Sequence, residues 1–274
     1  MEVHRIAVGV SLAALAFGCG CSLLTPADSY FLGTGGSTPA RSVYAQAVLD
    51  DAPLGYWRLD EADVAGGVID ASPHGNDGKY FGGVTTGAPG AIAHDPDSAT
   101  SLDGVDAEIS FGERFAFQGL APCSIEVWAR PTAAVTTSET LRRIVSHESG
   151  YVDGSPEGYM LMIGNSYLWV NRHLGSGDPE TVSASILKAD VYTHVVFTLD
   201  EKQTMRLYED GELASNPAPA ALQLQNTDAE FRVGAMSDNP DPVYRFAGAL
   251  DELAVYDHAL PATRVKAHFD AAQP

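Results

Sequence analysis

Residues 246–256, FAGALDELAVY, constrain the fold more than any other stretch, because their apolar side chains change parity partway along. Phe246 and Leu250 keep one phase, Leu253 and Val255 keep the other, and Asp251 and Glu252 sit where the phase changes. A strand alternates its side chains with a period of two, so both sets cannot face one core without an irregularity. The run therefore predicts a late buried strand, either covered on both faces or bulged at the two acids. A carboxylate inside so apolar a run requires a hydrogen-bond donor or a cation.

Strands with the same needs recur along the chain. Residues 55–59, GYWRL, alternate Trp57 and Leu59 against Tyr56 and Arg58, and end in a second acidic pair, Asp60 and Glu61. The segment SPHGNDGKYFGG after Ala71 is dense in turn formers and carries Asn76 and Asp77. Ala107, Ile109 and Phe111 share a face after the Asp103-Gly104 turn, and CSIEVWARP sets Ile125, Val127 and Ala129 against Glu126 and Trp128. A hairpin is expected at Gly164-Asn165, between runs over 159–163 and 167–170. In a clearer one, Val195, Phe197 and Leu199 face the returning Met205 and Leu207. Phe231, Val233 and Ala235 are in phase, and LPATRVKAHFDAA predicts a short C-terminal helix. Regular strands divided by Gly, Asp and Asn turns, with no helices between them, predict an all-β antiparallel sandwich whose first and last strands lie side by side.

Length and charge bound the rest. A chain of 274 residues suits one such domain with a tail. The net charge of −20 repels a phosphate backbone and an anionic membrane face, which argues against nucleic acid as a partner. Residues 1–21 have a short polar start, with His4 and Arg5, and an apolar run over 6–17 that is too short for a permanent membrane helix. They are expected to be an export signal. AFGC, ending at Cys19, resembles the lipobox of bacterial lipoproteins, with Ala16 where leucine is usual. That resemblance implies cleavage before Cys19 and its acylation, which would make a lipid anchor the only membrane contact; an ordinary signal cut is the alternative. Residues 22–43 read as a flexible spacer and residues 44–272 as the folded domain. Once the leader is removed, Cys123 has no partner and reads as a small buried hydrophobe.

Taken together, YWRLDE, SIEVWARP, THVVFTLD with MRLYEDGEL, and FAGALDELAVYDHAL resemble the laminin G-like, concanavalin A-type jelly roll of bacterial surface proteins. The resemblance implies a structural calcium where the first and last strands meet, held by Asp60, Glu61, Asn76 and Asp251. Such acids and turn carbonyls supply the oxygens that calcium prefers.

Glycosidases of this architecture carry alternating acids on one strand, whereas SIEVWARP offers Glu126 alone, with Trp128 and Arg130 at the next outward positions. No nucleophile elbow, zinc helix or phosphate loop occurs, and His194 reads as a hydrogen-bonded structural residue. The richest aromatic and polar cluster is Tyr151, Tyr159, Tyr167, Trp169, Arg172 and His173, and the ligand contacts expected from it are Tyr167, Trp169, Arg172 and His173; an ordinary sandwich core shows the same alternation. The acidic loop at residues 237–242 reads as a solvated turn. The expected function is a non-catalytic cell-surface or secreted module binding a glycan or a surface protein. A divergent polysaccharide hydrolase or lyase, and a structural spacer of the cell envelope, are the alternatives.

Overall fold

The bulge at Asp251 and Glu252 is where the last strand changes neighbours. The computed structural model describes residues 42–274 apart from 151–152, 226–227 and 238–240. The leader, Cys19, Tyr151 and nearly all of the spacer lie outside the described residues, and Arg41–Pro274 cluster as one unit. Ser42 caps helix α1 (Val43–Asp50), its Oγ accepting from Ala45 N at 3.1 Å. The strands that follow are β1 (Gly55–Trp57), β2 (Lys79–Phe81), β3 (Thr85–Pro89), β4 (Ser98–Asp103), β5 (Glu108–Ser110) and β6 (Cys123–Pro131). After the short α2 (Ala133–Thr136) come β7 (Arg142–Ser149), β8 (Glu157–Gly164), β9 (Tyr167–Leu174), β10 (Glu180–Ser185), β11 (Thr193–Leu199) and β12 (Thr204–Glu209). The chain ends with β13 (Glu212–Leu213), β14 (Ala218–Pro219), β15 (Arg232–Val233), β16 (Ala247–Tyr256) and α3 (Ala262–Ala271).

Two antiparallel sheets form a sandwich with a C-terminal helix, as the strand spacing predicts. The first sheet runs β13-β12-β11-β6-β16-β4-β3, with β1 also on β16 and β14 on β12; the second runs β10-β9-β8-β7-β15-β5-β2. Residues 247–250 of β16 pair with β4, and residues 253–255 pair with β1, so that Trp57 lies opposite Leu253 and Gly55 opposite Val255. Between these two sets Glu252 takes φ 52°, and the register against β6 slips between Asp251 and Ala254. Phe246, Leu250, Leu253 and Val255 thereby all reach one core, together with Trp57, Ile125, Val127, Phe197, Leu207, Leu161, Val170 and Phe231. Both faces of β16 are buried as well, so the two expected solutions occur together. The hairpin between β8 and β9 turns on Asn165 and Ser166, both left-handed, one residue later than expected. Cys123 is buried in the core, where burial pushes its thiol up to about 12.

Helices α1 and α3 cover the outer face of the first sheet, and a carboxylate joins them to it. Glu126 alternates away from the core and is wholly buried beneath the helices. It accepts from Tyr44 Oη of α1 (2.8 Å) and Tyr256 Oη of β16 (2.8 Å), and it pairs with His194 Nε2 of β11 (2.7 Å) and His268 Nδ1 of α3 (3.0 Å). Burial opposes its ionisation, but the His268 charge and the two imidazole contacts hold it well below the usual carboxylate range. Arg264 and His268 of α3 also reach Asp51 at the end of α1, each by ion pairs of 2.7–2.9 Å. Replacing Glu126 by alanine would strand four buried polar groups, and Glu126→Ala is expected to cost about 3–5 kcal/mol in urea unfolding. Coincident unfolding curves would show that apolar packing alone holds the two helices.

Candidate functional site

Besides the Glu126 cluster, a first place that collects polar chemistry outside the core is the seam at the bulge. Glu252 accepts a hydrogen bond from Tyr56 Oη and stands 3.4 Å from Arg58 Nε. Arg58, just past β1, also binds Asp95 at 2.7 Å and pairs with Asp97. Ligand atoms of Asp95, Asp97 and Glu252 lie within 4.8 Å of one another. Asp251 borders this group: its Oδ2 accepts from Ala91 N at 2.7 Å, and a Cβ added at Gly90 would meet that Oδ2 at 3.4 Å and Asp97 O at 2.9 Å. Asp251 Oδ1, Asp97 Oδ1 and Glu252 Oε1 are buried without a hydrogen-bond partner among the described residues. Burial pushes Asp251 well above the ordinary carboxylate range; the Ala91 N–H draws it partly back and the Asp97 charge raises it further. Glu252 is raised by burial and by Asp251, against the pull of Arg58.

Of the four residues expected to gather here, Asp251 lies at the border of the group and the other three lie elsewhere. Leu59 takes φ 59° and turns the chain out of the strand, leaving Asp60 exposed. Glu61 accepts from Ile69 N (2.8 Å) and Tyr80 Oη (2.5 Å), and Asn76 donates to Leu54 O (2.7 Å) while its carbonyl accepts from Trp57 Nε1 (2.9 Å). These contacts tie down the loop between β1 and β2. The acids that do meet the bulge, Asp95 and Asp97, come from the HDPD turn before β4, a run of turn-forming acids visible in the sequence but far from either end.

The second place is the outer face of β9. Leu168 and Val170 face the core, which puts Tyr167, Trp169, Asn171 and His173 on the opposite side. The Tyr167 and Trp169 rings meet edge to face at 5.2 Å, with Tyr167 47% exposed and the Trp169 indole N–H held by Gly164 O at 3.1 Å. Asn171 accepts from Thr181 Oγ1 of β10 at 3.0 Å. Strand β10 is an edge and offers only Thr181, Ser183 and Ser185 to this side, so the row on β9 stays open towards it. The β7 side of the same face is covered: Ser146 Oγ donates to Ala235 O at 2.7 Å, and Arg143 lies over the Tyr244 ring at 4.8 Å. His173 Nδ1 binds Glu148 of β7 across Gly158 of β8.

Arg172 departs from the expected ligand set, because strand alternation turns it to the core side. There it is 2% exposed and binds Glu180 Oε2 (2.5 Å), Gly119 O (2.8 Å) and Leu222 O (3.0 Å). Tyr159 is likewise a core residue, donating to Phe115 O at 2.6 Å. Glu126, the one acid on the strand where glycosidases carry their pair, is sealed under two helices with its lone pairs engaged, and His194 is one of its partners.

A family model described as the concanavalin A-like lectin/glucanases superfamily matches residues 103–266. The chain belongs to that superfamily. Among solved structures, the binding domain of botulinum neurotoxin DC in complex with rat synaptotagmin II is similar at TM-score 0.62 and 12% identity, covering 82% of this chain and 53% of that one. The binding domain of Paraclostridial Mosquitocidal Protein 1 aligns at TM-score 0.61 and 13% identity, over 81% and 53%. The botulinum neurotoxin type G receptor binding domain aligns at 0.59 and 12%, over 80% and 51%. The chain thus spans about half the length of these structures, and at such identity the likeness is one of fold. A comparison with curated proteins finds no significant match. Among the described residues no helix is long and apolar enough to cross a membrane.

The raised pKa values at the bulge have a consequence for stability. A carboxyl raised in the folded state favours folding while protonated, and that contribution is lost as pH rises through the raised value. Asp251→Asn is therefore expected to raise the melting temperature near neutral pH in chelator and to flatten its decline above about pH 4, the ordinary carboxylate value. A lower melt for the variant under those conditions would show that the charge itself holds the seam.

Proposed function

We propose that this domain is a non-catalytic binding module that holds a glycan along the outer face of β9. The observation that carries this reading is the half-exposed Tyr167–Trp169 pair, continued along the strand by Asn171 and His173 and left open by the small residues of β10. Aromatic faces stack on sugar rings while neighbouring amide and imidazole groups meet their hydroxyls. That similar folds occur in receptor-binding domains of toxins supports binding as the role. Helices α1 and α3 lie on the outer face of the other sheet, so an exported chain anchored through Cys19 would carry this strip on the side away from the helix that follows the spacer. Trp169→Ala is expected to weaken retention on an immobilised neutral polysaccharide by about tenfold or more with an unchanged melting temperature, since one stacked aromatic contributes on the order of 1–3 kcal/mol when buried. Retention equal to that of the parent protein would remove β9 as the site.

The seam is suited to calcium. Its donors are Asp95, Asp97 and Glu252, with Asp251 beside them, and three buried oxygens there lack a hydrogen-bond donor among the described residues. Arg58 supplies the positive charge in this structure, and a bound ion would take over that role. Calcium is expected to raise the melting temperature, by about 2–4 °C for each kcal/mol of binding linkage, with the increment absent in Glu252→Gln. Melting curves that coincide in calcium and in chelator would exclude the ion.

A further inference from the structure

The row Glu148, Gly158, His173 crosses three adjacent strands, and its middle member has no side chain. Gly158 takes φ 130°, and a Cβ there would stand 1.9 Å from His147 O, so no other residue fits. Glu148 and His173 consequently meet over the gap, the carboxylate on the imidazole Nδ1. The Glu148 side chain is wholly buried, whereas that of His173 is 12% exposed. Glu148 therefore has no access to a ligand on the strip, and its reach outward goes through the imidazole. A carboxylate on Nδ1 holds the proton on that nitrogen and leaves Nε2 as an acceptor. Four residues separate His173 from Trp169 along β9, about 13 Å at the rise of a strand, so the row suits an oligosaccharide rather than a single sugar.

Resting on the glycan reading above, we infer that Glu148 is a positioning residue that fixes His173 as the hydrogen-bond acceptor for a hydroxyl of a neutral oligosaccharide stacked on Trp169. An acceptor nitrogen backed by a buried carboxylate repels a uronate or sulfate group, and the net charge of −20 acts in the same direction.

The test combines imidazole nitrogen NMR with calorimetry on the whole protein, using cellotetraose, laminaritetraose and a galacturonate tetramer as probes. The expected result is a His173 ring whose Nδ1 carries the proton shared with Glu148 and whose Nε2 accepts. Its Nε2 resonance should move when at least one neutral tetraose is added, while the galacturonate tetramer does not bind. Glu148→Gln should populate the other tautomer and weaken the neutral ligand by about tenfold, the worth of one net hydrogen bond. A doubly protonated ring, an Nε2-protonated ring, or a preference for the galacturonate tetramer would overturn the assignment. If Trp169→Ala abolishes binding and Glu148→Gln does not change it, the positioning role falls and the binding face stands; if the parent protein binds no tetraose, both fall. Should Glu148→Gln not fold, the tautomer of the parent protein and its response to ligand decide the matter alone.

Discussion

Strand β16 is hydrogen-bonded on one side by β6 along its length and on the other by two strands in succession, β4 and then β1. The change of neighbour needs one irregular position, and Glu252 in the left-handed region supplies it. Everything central to the fold follows from that arrangement. The beginning of the domain is sewn to its end, and apolar residues of both phases reach one core. Two carboxylates are left at the only point along β16 where its β4 and β1 pairings stop.

Buried acids divide the labour among three places, and their partners determine what each can do. Glu126 is saturated by two tyrosines and two histidines, so its charge serves to attach helices to a sheet. Among the described residues the acids at the bulge share the Arg58 guanidinium, which leaves three buried oxygens without a hydrogen-bond donor. Glu148 meets His173, whose ring edge reaches the surface. A buried carboxylate is costly wherever it lies, and the donors around each one set how far its charge is compensated.

The two outer faces of the sandwich are correspondingly unlike. One is closed by α1 and α3 over Trp128, Tyr208 and Tyr256, with Phe269 stacked on Trp128 at 6.0 Å. The other is half covered by the segment leading into β16 and open along β9 and β10. The proposed glycan strip lies on the open face, where the half-exposed Tyr167 ring meets that of Trp169.

Much of this was legible in the sequence, because alternation is a local property that survives without knowledge of partners. The parity change at Asp251 and Glu252 predicted a bulge or a strand covered on both faces, the glycine- and acid-bearing turns predicted hairpins, and Glu126 standing without a second acid on its strand argued against a glycosidase pair. The same alternation already separated Arg172 from Trp169 and His173, a signal contained in residues 167–174. Which acids meet was not contained there. Asp60 and Glu61 follow the strand that pairs with β16, yet Leu59 turns them away, and Asp95 and Asp97 arrive from a loop with no periodicity to mark it. Nor does any local pattern reveal that Glu148 and His173 touch, since their contact depends on a glycine in a third strand leaving room between them. The sequence by itself determined the layers and the faces through short-range periodicity, and tertiary structure alone decided which charges share a site, because that depends on strand order and on backbone turns between distant segments.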